Sequence, residues 1–194
     1  YMKFIMNLDI CNFFIFFLMM RQPPRSTQSR SSAASDVYKR QTLHPDHCKV
    51  GKSKMNIIYR IQTATLEDIY SHLYSCDNGY QPPLSSRVDL SQYSEKLFKR
   101  ALSFEAWDEN LLIGMINAYF NDYNTRISFI SNVSVLQEYR RQGIASKLLQ
   151  MCLAYASQHN FLCIKLEASS KNSSALEVYK KAGFKVVQAC GSCL

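Results

Sequence analysis

The chain has 194 residues, 47% hydrophobic and 20% charged, with a formal net charge of +8, the composition of one globular domain with a real core. The charge is uneven: residues 1–54 hold nine Lys/Arg and three Asp, a net of +6, and residues 55–194 hold fourteen Lys/Arg and twelve Asp/Glu, a net of +2. The second part is nearly neutral, which argues against nucleic acid as a partner, and seven irregularly spaced cysteines exclude a disulfide framework.

From the N-terminus, Phe4 to Met20 is apolar and aromatic, flanked by Lys3 and Arg21. As a membrane segment it is short and is interrupted by Asn7, Asp9 and Asn12, and no small-residue cleavage site follows it. The stretch from Met20 to Gln41 resembles the translation of a sequencing adapter left in an assembled read, a match over about residues 13–41. On that reading residues 1–54 are a non-native or disordered leader that does not pack, and the source is an environmental assembly, hence bacterial. Residues 55–194 are then the domain, starting at Met55, with no membrane attachment and a cytoplasmic location.

Within the domain, Asn56 to Gln62 alternates and reads as a strand. Thr65 opens a helix by N-cap logic, running to Cys76 with Ile69 and Leu73 on one face. Asp77 to Arg87 contains Gly79, Pro82 and Pro83 and is a loop. A second helix covers Leu90 to Leu102. Three strands follow, Ser103–Trp107, Leu111–Phe120 and Ile127–Val135, separated by turns. The pattern then becomes a helix from Ile144 to His159, a strand from Phe161 to Ala168, a helix from Asn172 to Ala182 with Gly183 as its C′ residue, and a strand from Phe184 to Ala189. This order predicts an α/β fold: a single mixed, mostly antiparallel sheet with helices on both faces. Cys152 and Cys163 fall in apolar periodic stretches and read as buried free thiols. Cys190-Gly-Ser-Cys193 has CxxC spacing but no second pair, so no metal site is expected.

The candidate site lies after the strand ending at Val135. Arg140-Arg141-Gln142-Gly143-Ile144-Ala145-Ser146 leads into a helix whose first N–H groups lack partners and carry about half a positive charge. Gly143 allows close approach to the backbone, and the arginines add charge. A phosphate or pyrophosphate is expected there; a plain strand–loop–helix corner is the alternative.

These residues resemble the Q/R-x-x-G-x-G/A hallmark of the GNAT N-acetyltransferase family. Asn132-Val133-Ser134-Val135 resembles its V-x-V strand end, whose backbone pairs with the pantetheine arm. Asn172-x-x-Ala175-x-x-x-Tyr179 and Tyr179-Lys180-Lys181-Ala182-Gly183-Phe184 resemble its later helix and Y-x-K/R-x-G-F ending. The resemblance covers about residues 57–189 and implies the acyl-CoA N-acyltransferase fold with acetyl-CoA as co-substrate. It implies that Val133, Val135, Arg140, Arg141, Gln142, Gly143, Ile144, Ala145, Ser146 and Asn172 bind the cofactor and that Tyr179 donates a proton to the departing sulfur. The last strand and hairpin of the family pattern are missing after Phe184–Ala189, which leaves an exposed sheet edge.

The implied reaction is acetyl transfer to a primary amine, of a small molecule, by direct attack in a ternary complex. A protein N-terminus as acceptor and a non-catalytic acyl-CoA-binding module are the alternatives. The enzyme would act as a monomer or homodimer. Where many relatives carry a glutamate as base, this chain has Ser131 and Asn132; Glu105 and Glu167 are the other candidates, and both also read as solvated strand-face charges. Tyr80, Pro82, Pro83, Arg87, Tyr119 and Asn121 are the candidate lining of the acceptor site.

Overall fold

The computed structural model describes residues 1–8, 56–80 and 82–187. Seven strands form one sheet: β1 (Met2–Asn7), β2 (Ile57–Ile61), β3 (Leu102–Asp108), β4 (Leu111–Tyr119), β5 (Ile127–Val135), β6 (Cys163–Ala168) and β7 (Lys185–Val187). Among the described residues four α-helices accompany them: α1 (Leu66–Cys76), α2 (Leu90–Arg100), α3 (Ile144–Gln158) and α4 (Ser173–Lys181). The sheet order is β2-β3-β4-β5-β6-β1-β7. Only the β5–β6 pair is parallel; every other neighbouring pair is antiparallel. The mixed, mostly antiparallel sheet expected from the sequence is therefore present.

Local chemistry explains the elements. Thr65 caps α1 in a capping box, its side chain accepting from the Asp68 N–H while the Asp68 carboxylate accepts from the Thr65 N–H. Asp89 caps α2 through the Gln92 N–H. Alternation along the strands divides the core between two faces of the sheet. Ile69, Leu73 and Leu97 of α1 and α2 pack on Trp107, Leu112 and Met115. Leu148, Cys152 and Ala156 of α3, with Tyr179 of α4, pack on Phe104, Ala106, Ile116, Ala118 and Ile164. Gly114 lets α3 sit close to β4: a Cβ there would lie 2.9 Å from Cγ2 of Ile144.

Residues 1–54 are expected not to pack, but the described residues at their start do. Strand β1 lies between β6 and β7 and pairs with β6 along its whole length, from Met2 opposite Ala168 to Asn7 opposite Cys163. Phe4 is 1% exposed and belongs to the core. The physical reason is period-2 patterning: Phe4 faces the core while Lys3 and Asn7 are exposed, so an apolar run that reads as one block supplies a half-buried strand. The adapter-like stretch and the Cys190–Cys193 pair lie outside the described residues. Cys76, Cys152 and Cys163 are buried free thiols.

Candidate active site

The sheet opens between β5 and β6. Their pairing runs only from Ile127 opposite Cys163 to Ile130 opposite Leu166. There β5 bulges: Asn117 of β4 faces Asn132 and the next residue, Ala118, faces Ile130, leaving Ser131 as the extra residue. A bulge bends its strand, while β6 stays with β1 through Ala168. The two strands part beyond this point. The Leu136 N–H donates to the Ile113 carbonyl, on the β4 side. By strand alternation the backbone groups of Ser134 also face β4, and those of Val133 and Val135 face the gap. The V-x-V segment thus presents a hydrogen-bonding edge in mid-sheet, of which the Val135 carbonyl is taken by Arg140.

The loop after β5 is anchored at two points. The Tyr139 hydroxyl donates to the Asp108 carboxylate (2.9 Å). Arg140 Nε donates to the Val135 carbonyl (3.0 Å), and its guanidinium lies against Gly79, where a Cβ would meet it at 2.3 Å. Arg140 therefore joins the strand end to the α1–α2 connection. Arg141 has φ 64° and Gly143 φ 79°; a Cβ on Gly143 would meet nothing within 4 Å. It is the left-handed backbone, not crowding, that calls for glycine here. No side chain caps α3, and its first helical bond runs from the Lys147 N–H to the Gly143 carbonyl. The N–H groups of Ile144, Ala145 and Ser146 therefore have no intrahelical acceptor. The Ile144 side chain is in the core, so only its N–H can serve an anion. Arg141, Gln142, Gly143 and Ser146 are exposed, with Gln142 Nε2 donating to the Glu138 carbonyl at 3.4 Å.

Tyr179 lies buried on α4, its ring 5.7 Å from Phe4 and 6.1 Å from Phe184. Burial pushes its phenol up to about 12, so it keeps its proton at neutral pH. Asn172 caps α4: its Oδ1 accepts from the Ala175 N–H (3.1 Å) and the Ser174 hydroxyl (3.0 Å).

Neither carboxylate candidate is placed to serve as a base. Glu105 is fully buried and its oxygens accept from the Thr63 N–H and hydroxyl, the Ala64 N–H and Trp107 Nε1. It clamps the β2–α1 connection rather than being a solvated charge. Glu167 is exposed and lies 3.9 Å from Lys3, in line with the strand-face reading.

A buried polar chain, largely unforeseen, runs beneath the split part of β5. His72 Nδ1 lies 2.8 Å from the Leu112 carbonyl, which can only accept. Nδ1 therefore carries the proton. Burial lowers the imidazole to about 4, so it is neutral and Nε2 accepts, here from the Ser134 hydroxyl at 2.9 Å. Ser134 Oγ in turn accepts from Asn132 Nδ2 (3.1 Å), which also donates to Asn117 Oδ1. Asn132 Oδ1 is left to accept from the Tyr80 hydroxyl at 2.6 Å. Every donor points from Tyr80 toward Leu112. The head of the chain is the Tyr80 oxygen, which accepts from no donor among the described residues. Burial raises the Tyr80 phenol well above its ordinary range, with neighbouring Cys76, Tyr93 and Tyr179 adding to this and Ser134 opposing it. The sequence signal for the chain was a histidine on the apolar Ile69–Leu73–Cys76 stripe of α1; its partners lie 40 and 62 residues away.

The Acetyltransferase (GNAT) family model matches residues 66–184. The chain spans less than a quarter of the length of some curated relatives that it matches. It is 31% identical over 120 residues to N-alpha-acetyltransferase 30 of Schizosaccharomyces pombe, covering 59% of this chain and 80% of that protein. A predicted acetyltransferase from Clostridium acetobutylicum, solved with acetyl-CoA, has a TM-score of 0.53 at 22% identity, covering 71% of this chain and 96% of that one. An aminoglycoside acetyltransferase from an uncultured soil metagenomic sample, in complex with sisomicin, has a TM-score of 0.55 at 18% identity, covering 71% and 97%. These structures share the fold. With the split strands, the uncapped helix and the family match over 66–184 in one place, the chain belongs to the acetyltransferase (GNAT) family.

Proposed function

We propose that the chain transfers an acetyl group from acetyl-CoA to the primary amine of a small molecule, by direct attack in a ternary complex. The observation that carries this reading is the edge of Val133 and Val135 leading directly into the uncapped start of α3. That edge suits an amide-bearing arm and the helix start suits its phosphates. The residues present fit the co-substrate, which supplies the activated thioester carbonyl. The Ile144, Ala145 and Ser146 N–H groups, with Arg141, would hold the phosphates, and Val133 and Val135 the arm. The Asn172 Oδ1 already caps α4, so its Nδ2 is the group left to contribute.

Tyr179 holds the proton destined for the leaving sulfur, and its raised phenol keeps it loaded. The acceptor must arrive neutral, which for an alkyl amine of pKa near 10 costs about 4 kcal/mol at pH 7. Glu105 is enclosed by its own donors and Glu167 lies beside Lys3, so we assign that cost to neither. The Tyr80 oxygen, which accepts from no donor among the described residues, orients the amine by accepting one N–H, and the proton leaves through water. The relatives at 30% identity or more that are named N-alpha-acetyltransferases favour a peptide α-amine as the second reading of the acceptor.

The test is a thermal-shift titration with acetyl-CoA followed by amine-dependent CoA release. Saturation at 100 times Kd should stabilise the fold by about 2.7 kcal/mol, and Tyr179→Phe should bind acetyl-CoA normally yet lose turnover by 10²-fold or more. Absence of any shift at saturation sinks the cofactor site; full turnover by Tyr179→Phe removes its acid role.

A further inference from the structure

Between α2 and the β4–β5 hairpin lies a cavity of about 390 Å³ whose walls include Lys96, Arg100, Tyr119, Asp122 and Phe129. We infer that it receives an anionic group, a carboxylate or a phosphate, carried by the acceptor amine; this rests on the acetyl-transfer reading above.

Position comes first. Tyr119 and Phe129 are cross-strand partners, and Phe129 is two residues from the Ser131 bulge, or roughly 7 Å along the strand. Tyr93 of α2 reaches that bulge, its hydroxyl 3.1 Å from Ser131 Oγ and 3.3 Å from the Ser131 carbonyl. The cavity thus lies on the hairpin side of the point where β5 leaves β6, with Phe129 its wall residue nearest that point in sequence. An acceptor with its amine at the gap and a tail of several bonds reaches it.

Charge comes second. Lys96 and Arg100 join no ion pair among the described residues, whereas Lys99 on the same helix is paired with Glu95. The one acid in the wall, Asp122, already accepts from the Thr125 N–H and hydroxyl, which hold its carboxyl below the usual range. Two cations therefore face one occupied carboxylate.

The third observation is independent. The Tyr119 hydroxyl is buried with no hydrogen-bond partner among the described residues. Beneath it Asn117 Nδ2 and Ser103 Oγ are also buried and unpartnered; Ser103 and Asn117 stand directly opposite each other in the β3–β4 register, and Tyr119 is two residues on, on the same face. Buried polar groups are nearly always paired, and all three of these can donate. A helix C-terminus explains a cation at Arg100 but not a set of donors awaiting an acceptor. An oxyanion between Lys96 and Arg100 would supply that acceptor, with the Tyr119 hydroxyl turning out of its buried position to meet it.

The experiment measures acetyl-CoA-dependent turnover by the full chain on matched acceptors: an ω-amino carboxylate, its ω-amino carboxamide and an ω-amino alkyl phosphate of equal length. Either anion should exceed the carboxamide in kcat/KM by tenfold or more, and the ratio should shrink toward one at high salt. Lys96→Gln and Arg100→Gln should each lower the ratio severalfold. Lys99→Gln, which removes the same charge outside the cavity, should keep it. Equal use of anion and carboxamide, or a ratio unchanged in both cavity variants, overturns the assignment while leaving acetyl transfer standing. If no amine is turned over and acetyl-CoA gives no thermal shift, the acetyl-transfer reading fails and the pocket assignment falls with it.

Discussion

Glu105 illustrates how much a single residue's neighbours decide. Its sequence context, a carboxylate on a strand ahead of the cofactor loop, admits both a base and a solvated charge. Its surroundings admit neither: four donor groups from Thr63, Ala64 and Trp107 converge on two oxygens with no exposure. In Glu105→Gln an amide NH₂ must face donors, leaving buried groups unpaired. We expect a loss of about 3 kcal/mol, read as a lower urea midpoint, with acetyl transfer per folded molecule retained. Loss of turnover without loss of stability would restore Glu105 as the base. The Thr63 and Ala64 partners of Glu105 and the Leu112 and Ser134 partners of His72 come from segments 40 or more residues away, and local patterning carries no record of such pairings. The Arg140–Ser146 loop differs. Its geometry consists of free backbone N–H groups, a glycine with positive φ and adjacent strand and helix ends, all local in sequence, so that geometry was legible in the residues, while its part in holding the cofactor is our proposal.

Among the elements, those of the second part of the chain were legible because alternation and helical spacing survive in each. The end of α2 came two residues early, at Arg100 rather than Leu102, because Leu102 begins β3. β1 was not legible. Its register partners on β6 lie some 160 positions away, and its alternation is hidden in an apolar run. Yet β1 shapes the site twice: it holds β6 on the far side of the gap, and Phe4 packs against Tyr179. Phe4→Ala should cost about 3–5 kcal/mol, the usual range for an aromatic removed from a core, seen as a lower denaturant midpoint at unchanged slope. A variant as stable as the parent would mean that β1 contributes little to the sheet.

At the scale of the whole molecule, the polar chain from Tyr80 to Leu112 ties α1 to β4 and β5, joining the helical layer to the sheet where the gap opens. Its weakest point in acid is His72. In the folded protein this imidazole is lowered to about 4 by burial, against an ordinary value near 6.5 for an unfolded chain. Between these values the unfolded chain binds a proton that the folded one refuses, so stability falls as pH drops from about 6.5 to about 4 and is flat in this term above that window. The gap of roughly 2.5 pH units corresponds to about 3 kcal/mol, lost before most carboxylates titrate. Protonation at Nε2 would also turn the Ser134 hydroxyl proton away, since Nε2 would then donate to that oxygen. Urea unfolding between pH 4 and 7.5 measures the slope directly. His72→Gln has no imidazole to titrate, so its stability, lower at neutral pH, should lose most of the slope across this window. An equal slope in both proteins would place the acid sensitivity elsewhere and leave the His72 proton assignment without support.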